Sequence, residues 1–163
     1  MRHLFCIPDA SCSAQTHNTM PGWRIVIGSD DAGFAYRAAL KADLEADQRV
    51  AQIIDVGIHA NRLMTHERMA AAAARLVTQG RADRALLISG SGLGVAMSAN
   101  RVRGIRAVTA SDSSAVQRSV VDNDAQVLCL GHRVIDLQVA RRLAAEWLDY
   151  RFDCWSASDA AVV

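Results

Sequence analysis

Five short apolar runs alternate with helical patterns along the chain from Arg24 onward. The runs are rich in Val, Ile and Leu and do not alternate strictly with polar residues, which is typical of strands that are covered on both faces. We therefore predict five strands, at residues 24–28, 51–56, 85–88, 105–110 and 126–130.

The segments between these runs carry apolar residues at i, i+3 and i+4, which is the spacing of a helix with one buried face. Ser111-Asp112-Ser113 and Asp136 precede two of these segments as suitable helix caps. Strands that alternate with helices predict an α/β fold, a three-layer α/β/α sandwich around a five-stranded, doubly wound parallel sheet. The predicted helices span residues 34–46, 68–78, 95–100, 114–121 and 137–150.

The two ends of the 163-residue chain lie outside this pattern. Residues 1–22 have an apolar stretch only at 4–7, too short for a secretory signal, so we interpret them as an extension or a start-site artefact, with Met20 as an alternative start. Residues 153–163 are small and polar apart from Trp155, as in a docking arm or a frayed end. The sequence thus predicts one domain over residues 23–152.

Composition narrows the function classes. Lys and Arg number 18 against 17 Asp and Glu, so there is no excess positive charge for nucleic acid, and no apolar run is long enough to cross a membrane. The 4 cysteines form no C-x-x-C pair, which favours a reducing, cytoplasmic location and indicates neither a metal site nor a cofactor. Cys129 is expected to be a small buried residue in a strand.

Ligands of an open parallel sheet bind beyond the carboxyl ends of its strands, so the segments that follow the strands are the candidates for chemistry. Asp30 and Asp31 follow the first strand, where carboxylates either cap a helix or bind sugar hydroxyls and transfer protons. Gly90, Gly92 and Gly94 follow the third strand, where they form either an ordinary tight turn or a loop whose N–H groups bind an anion.

The last two strand–helix units add further polar residues. Asp122-Asn123-Asp124 precedes the fifth strand, and Gly131-His132-Arg133 follows it. An arginine at a strand end either binds a phosphate or carboxylate or forms a surface ion pair.

Four motifs in order resemble the ribose-5-phosphate isomerase B / galactose-6-phosphate isomerase family of aldose–ketose isomerases. They are G-S-D-D-A-G at 28–33, L-I-S-G-S-G-L-G at 87–94, S-A-N-R-V-R-G-I-R-A at 98–107 and D-N-D-A-Q-V-L-C-L-G-H-R-V-I at 122–135. The resemblance implies a flavodoxin-like sheet, an enediolate mechanism without metal, and an active site shared between two subunits of a homodimer or a dimer of dimers.

The chain departs from the family where the proton-transfer base is expected. The family's base is a Cys at the position of Ser89, or in another branch a Glu at the position of Val95. A serine hydroxyl is a poor base unless another group activates it. The aromatic of the family's D-Y-P motif is replaced by His66, which is either a surface residue or an imidazole in the site.

Two further departures concern ring opening. The family's ring-opening His is Asp122 here, and the Thr that assists it is Ser91. A tetrose 4-phosphate cannot close a furanose ring because its O4 is esterified, so it would not need that acid. The sequence therefore leaves two sugar phosphates open, a ribose 5-phosphate/ribulose 5-phosphate type and a tetrose/tetrulose 4-phosphate type.

From the resemblance we expect an isomerase of a small phosphorylated sugar. The rival interpretations are a phosphosugar-binding protein that has lost its base and, more remotely, an unrelated nucleotide-binding domain. The expected catalytic residues are Ser89, Ser91, His66 and Asp122. The expected substrate-binding residues are Asp30, Asp31, Gly90, Gly92, Gly94, Asn100, Asn123 and Arg133.

Overall fold

A computed structural model describes residues 22–57 and 65–152. All strand pairs are parallel and follow the order β2-β1-β3-β5-β4. The strands are β1 (Trp23–Ser29), β2 (Val50–Asp55), β3 (Arg84–Ser89), β4 (Ala107–Thr109) and β5 (Val127–Gly131). The helices are α1 (Phe34–Ala46), α2 (His66–Thr78), α3 (Leu93–Ala99), α4 (Ser113–Val121) and α5 (Leu137–Trp147).

This architecture confirms the predicted three-layer, doubly wound α/β fold. Compared with the flavodoxin order 2-1-3-4-5, the last two strands have changed places, so β5 lies inside the sheet and β4 forms an edge. Helices α2 and α3 cover one face of the sheet, and α1, α4 and α5 cover the other. Successive residues of β3 point to opposite faces and all six are buried, which explains its unbroken apolar pattern.

Several element boundaries differ from the prediction. Helix α2 begins at His66 because the Thr65 side chain accepts the N–H of Arg68 and caps the helix there. The predicted strand 105–110 contracts to the three residues of β4, whose one partner among the described strands is β5. The predicted caps Asp112 and Asp136 are confirmed, since each side chain accepts the first-turn amide three residues on.

A buried arginine closes the amino-terminal edge of the sheet, opposite the segments singled out for chemistry. Arg84 stacks on the rings of Trp23 and Trp147, 4.1 and 5.1 Å from their centroids. Its guanidinium donates to the carbonyl oxygens of Trp147 (2.5 Å) and Tyr150 (2.6 Å). Burial lowers the pKa of Arg84 to about 10. These contacts fix the chain after α5 against the sheet.

The predictions for the chain ends, including Trp155 and the start at Met20, lie outside the described residues. Within residues 22–57 and 65–152, the helices are too short or too polar to span a bilayer. Cys129 is a buried free cysteine of β5, as predicted, and burial raises the pKa of its thiol.

Candidate functional site

A cleft of about 340 Å³ opens at the carboxyl-terminal edge of the sheet. The strands β1, β3 and β5 are neighbours there, so the loops that follow them meet. Six of the eight lining residues come from these loops, from α3 or from the segment after β5. Ser89 is the last residue of β3, and His66 is the first residue of α2. The lining residues are Asp30, His66, Ser89, Gly90, Ser91, Gly94, Arg133 and Val134.

Two serine hydroxyls shape the glycine loop between β3 and α3. The Oγ of Ser89 accepts the N–H of Gly92 at 3.1 Å, and the Oγ of Ser91 accepts the N–H of Leu93 at 3.4 Å. Because both oxygens accept, their hydroxyl hydrogens are left to donate elsewhere. The remaining loop amides, those of Gly90, Ser91 and Gly94, are then the candidates for binding an oxyanion.

Gly92 is required at its position by backbone conformation and by space. Its φ is +80°, in the left-handed region. A Cβ there would lie 2.9 Å from Cγ2 of Thr109 and 3.2 Å from the carbonyl carbon of Leu130. Gly92 is not among the lining residues of the cleft, so its contribution is to the shape of the loop.

Asp30 is held at the end of β1 by hydrogen bonds on its backbone and its side chain. Its N–H donates to the carbonyl of Ile88 at 3.3 Å, and its Oδ1 accepts the N–H of Gly33 at 2.8 Å. Of the two adjacent carboxylates, Asp30 is therefore the one that accepts a backbone N–H before α1. Asp31 is exposed and does not line the cleft.

Arg133 is fixed beside the glycine loop. Its N–H donates to the carbonyl of Gly90 at 3.0 Å, and the N–H of His132 donates to that of Ser89 at 3.0 Å. A Cβ on Gly90 would lie 3.8 Å from both Cδ and Nε of Arg133, so the arginine side chain runs alongside this glycine. Within the described parts of the chain, no carboxylate forms an ion pair with Arg133. The guanidinium is therefore available to an anionic ligand.

His66 enters the cleft from the first turn of α2. Its Nε2 lies 3.4 Å from the position that a Cβ of Gly94 would take, so the imidazole lies over that glycine. The carboxylate of Glu67 lies close by, with Oε1 3.2 Å from Nε2. The pKa of Glu67 is lowered, first by a hydrogen bond from Thr65 and further by the charges of His66 and Arg101.

Four other predicted residues do not line the cleft of the single chain. Asn100 clamps the turn before β4, donating to the carbonyl of Ala107 at 2.8 Å and accepting its N–H at 2.7 Å. Asp122 lies 3.5 Å from Arg118 at the end of α4, and Asn123 donates to the carbonyl of Arg118 at 3.0 Å. The fourth is Asp31. Their roles toward a ligand stay predictions, and those of Asp122 and Asn123 rest on the implied second subunit.

The sequence reasoning missed Glu67 and Val134. No sequence pattern marks Val134, which follows Arg133 in the chain and lines the cleft beside it. Glu67 sits next to His66 in the sequence, but only the direction of the α2 first turn brings its carboxylate against the ring. In the described part of the chain, His, Cys, Asp and Glu side chains do not gather in threes as a metal ion would require.

Comparison with known proteins gives concordant similarities. The sequence profile described as Ribose/Galactose Isomerase matches residues 25–162. D-erythrulose-4-phosphate isomerase 2 of Mycolicibacterium smegmatis is 57% identical over 140 residues, covering 85% of this chain and 92% of that protein. Ribose-5-phosphate isomerase B of Escherichia coli is 32% identical over 130 residues, covering 80% and 86%. The structure of Clostridium thermocellum ribose-5-phosphate isomerase B superposes with a TM-score of 0.77 at 33% identity, covering 84% of this chain and 91% of that one.

Proposed function

Since the chain belongs to the Ribose/Galactose Isomerase family, we propose that its cleft interconverts a tetrulose 4-phosphate and the corresponding tetrose 4-phosphate. The enzyme class, a sugar-phosphate isomerase, is shared by its curated relatives. The rival interpretation as a binding protein without turnover therefore receives no support from them. The proposal concerns the length of the sugar and the residues that bind it.

The observation that carries the choice of four carbons is the 57% identity with the Mycolicibacterium D-erythrulose-4-phosphate isomerase 2, against 32% with the ribose-5-phosphate isomerase of Escherichia coli. The chemistry of ring opening supports it. Asp122 stands where the resemblance expects a proton-donating His, and half of its side chain is exposed, at 50%. A carboxylate accepts hydrogen bonds and has no proton to donate. A tetrose phosphate, which cannot close a furanose ring, needs no such donor.

The cleft supports a specific division of roles. Arg133 binds the phosphate, because its planar guanidinium can form two parallel hydrogen bonds to phosphate oxygens and no described carboxylate competes for it. Asp30 accepts from a sugar hydroxyl through the oxygen that Gly33 leaves free. The amides of the glycine loop stabilise the negative oxygen of the enediolate, and the Ser89 and Ser91 hydroxyls donate to sugar oxygens.

A coupled assay of the purified chain with erythrulose 4-phosphate, erythrose 4-phosphate, ribose 5-phosphate and ribulose 5-phosphate tests the substrate. We expect kcat/KM for the four-carbon pair to exceed that for the five-carbon pair. Free-aldehyde analogues fixed in the open-chain form provide the control for ring opening. Equal or greater kcat/KM on ribose 5-phosphate would refute the four-carbon proposal and leave the five-carbon type.

We further propose that two copies of the chain assemble around this cleft. Leu93 and Met97, four residues apart on α3, are 59% and 67% exposed, and Val134 on the rim of the cleft is 58% exposed. Apolar side chains grouped beside a cleft favour burial against a partner. A second copy would also bring the α4 end with Asp122 and Asn123 toward a cleft that these residues do not reach within their own chain.

Light scattering tests the assembly. We expect the mass of two chains, or of four for a dimer of dimers, and a shift toward one chain for Met97→Asp. Ala145→Asp, on the exposed side of α5, is the matched control. A single-chain mass for the wild type at micromolar concentration would contradict the proposal. We place the protein in the reducing cytoplasm, because its 4 cysteines form no C-x-x-C pair.

A further inference from the structure

Aldose–ketose isomerisation needs a group that carries a proton between C1 and C2, and few residues of the cleft can do so. The guanidinium of Arg133 has donors and no acceptor, and Gly90, Gly94 and Val134 have no titratable side chain. Val95, the next residue of the loop, is fully buried in the core and turned away from the cleft. The proton carrier among the described lining residues is therefore a serine, Asp30 or His66.

The serines and Asp30 are engaged by the backbone. The oxygens of Ser89 and Ser91 accept the amides of Gly92 and Leu93. Among the described residues neither serine oxygen shares a hydrogen bond with a base that could take its proton, which makes a serine hydroxyl ineffective. Asp30 is anchored through Oδ1 by the amide of Gly33, in a position suited to accepting from hydroxyls.

We propose that His66 is the proton-transfer base of the proposed isomerisation and that Glu67 positions it and stabilises its protonated form. The ring lies in the cleft over Gly94, which has no side chain to exclude it. Its side chain is 46% exposed, so it is accessible to substrate. Imidazole is the side chain whose change of charge lies nearest neutral pH, where a general base works best.

The proton and electron balance of the step is complete without a cofactor. With the Nε2–H of the neutral ring directed to the Glu67 carboxylate, Nδ1 of His66 removes the proton from C1 of the ketose. The C–H electron pair forms the C1–C2 double bond of an enediolate while the carbonyl π pair moves to O2. Protonated His66 then returns the proton to C2, where it binds through the electron pair of the C1–C2 double bond. The O1–H pair forms the carbonyl at C1, and the O1 proton moves to O2. The carboxylate of Glu67, 3.2 Å from Nε2, stabilises the imidazolium that exists between the two transfers.

Other charges also face the ring. Arg101 acts on Glu67 from the end of α3, and Asp30 and Arg133 lie across the cleft. The two arginines oppose a positive ring, and Asp30 favours one. A pH measurement must therefore compare variants that differ in one of these groups at a time.

The test measures His66→Gln, Glu67→Gln and Arg68→Gln as full-length proteins. Arg68 is exposed in the same helical turn and does not line the cleft, so Arg68→Gln is the matched control. Each protein is assayed on whichever of erythrulose 4-phosphate and ribulose 5-phosphate the wild type converts, so the four-carbon proposal can fail without affecting this test. Circular dichroism confirms that the variants fold.

We expect His66→Gln to lose about 10²–10⁴-fold in kcat with little change in KM. Deuterium incorporation at C1 of the ketose in D₂O, followed by NMR, should fall by the same factor because it reports the proton transfer directly. The phosphate of the substrate titrates near pH 6. Its ionisation cancels in the ratio of wild-type to His66→Gln activity, which should still fall about tenfold per pH unit on the acid side.

Glu67→Gln should retain the mechanism with lower kcat and shift the acid limb to lower pH, because the imidazolium loses its nearby negative charge. A Glu67→Gln profile that keeps the wild-type limb would remove Glu67 from the proposal. A His66→Gln variant within threefold of the wild type in both turnover and deuterium incorporation would overturn the assignment of His66 as the base. In that case Asp30→Asn would be measured too, and loss of deuterium incorporation in that variant alone would assign the base to Asp30.

Discussion

Replacing Gly92 by alanine should destabilise the protein more than the same change at Gly80. Both glycines have positive φ, +80° and +68°, so each alanine incurs a left-handed cost of about 1–2 kcal/mol. Each also gains about 0.4–1 kcal/mol because alanine restricts the unfolded chain. These two contributions are common to both variants and cancel in the comparison, which leaves the native contacts of the added methyl group.

Those contacts differ sharply between the two sites. At Gly80 a Cβ meets no atom of residues 22–57 and 65–152 within 4 Å, whereas at Gly92 it would lie 2.9 Å from Thr109 Cγ2 and 3.2 and 3.3 Å from backbone atoms of Leu130 and Gly131. Thr109 cannot simply rotate away, because its hydroxyl donates to the Gly92 carbonyl at 3.2 Å. The backbone atoms belong to β5, which is held between two strands. Overpacking of this kind costs about 1–3 kcal/mol.

Urea unfolding followed by circular dichroism measures the difference. With a dependence on urea of about 1–3 kcal/mol per molar, a gap of about 2 kcal/mol separates the midpoints by roughly 1 M. Protein concentration is held constant, because assembly would make the midpoint depend on it. Gly92→Ala should also lose turnover, whereas Gly80→Ala should retain it. Equal midpoints would refute the steric reasoning, and full activity of Gly92→Ala would separate the loop from catalysis.

Four further outcomes are expected. Arg133→Ala should weaken binding of the phosphosugar by about 1.5–3 kcal/mol in calorimetry with the fold intact, and unchanged affinity would place the phosphate elsewhere. Arg84→Met should lower the free energy of unfolding by about 2–4 kcal/mol, because two backbone carbonyls lose their buried donor, and an unchanged urea midpoint would argue against this. Arg24 lowers the pKa of Asp83, so the pair stabilises the folded protein above about pH 4 and this stabilisation is lost as pH falls through the lowered pKa. Asp83→Asn should lower the free energy of unfolding by about 0.5–1 kcal/mol at pH 7 and leave it unchanged in strong acid. A loss that does not depend on pH would contradict this. Asp122→His should raise kcat/KM on ribose 5-phosphate specifically, and a parallel change on the four-carbon pair would show that this position does not govern ring opening.

The fold was predictable because its strands are covered on both faces. Continuous apolar runs such as 85–88 are therefore easy to distinguish from amphipathic helices, and the alternation of these runs with helices predicts the three-layer sandwich. The order of the strands in the sheet could not be predicted from the sequence, because an apolar run does not show which other strand it will pair with. The predicted strand 105–110 is too long at its start. Ile105 is apolar because it packs in the core on the α2–α3 side of the sheet, but it lies in a turn before β4.

The location of the cleft was predictable for a topological reason, because loops after neighbouring parallel strands must meet. The structure accordingly places Asp30, Ser89 and Arg133 on one cleft. Hydrogen bonds inside the glycine loop were not predictable, because they depend on the turn that the loop adopts. The contact of Glu67 with His66 depends in the same way on where α2 begins, two residues earlier than its periodicity indicated.

The inward place of β5 has a consequence for synthesis of the protein on the ribosome. Within the described sheet β4 pairs with β5 alone, and β3 has β5 as its partner on that side. A nascent chain that ends before residue 127 therefore carries β3 with an open edge and β4 with no partner, the kind of surface that pairs with other chains. The strand that covers this edge also delivers Arg133 to the cleft, so protection from misassembly and the proposed phosphate ligand arrive in the same late step of translation.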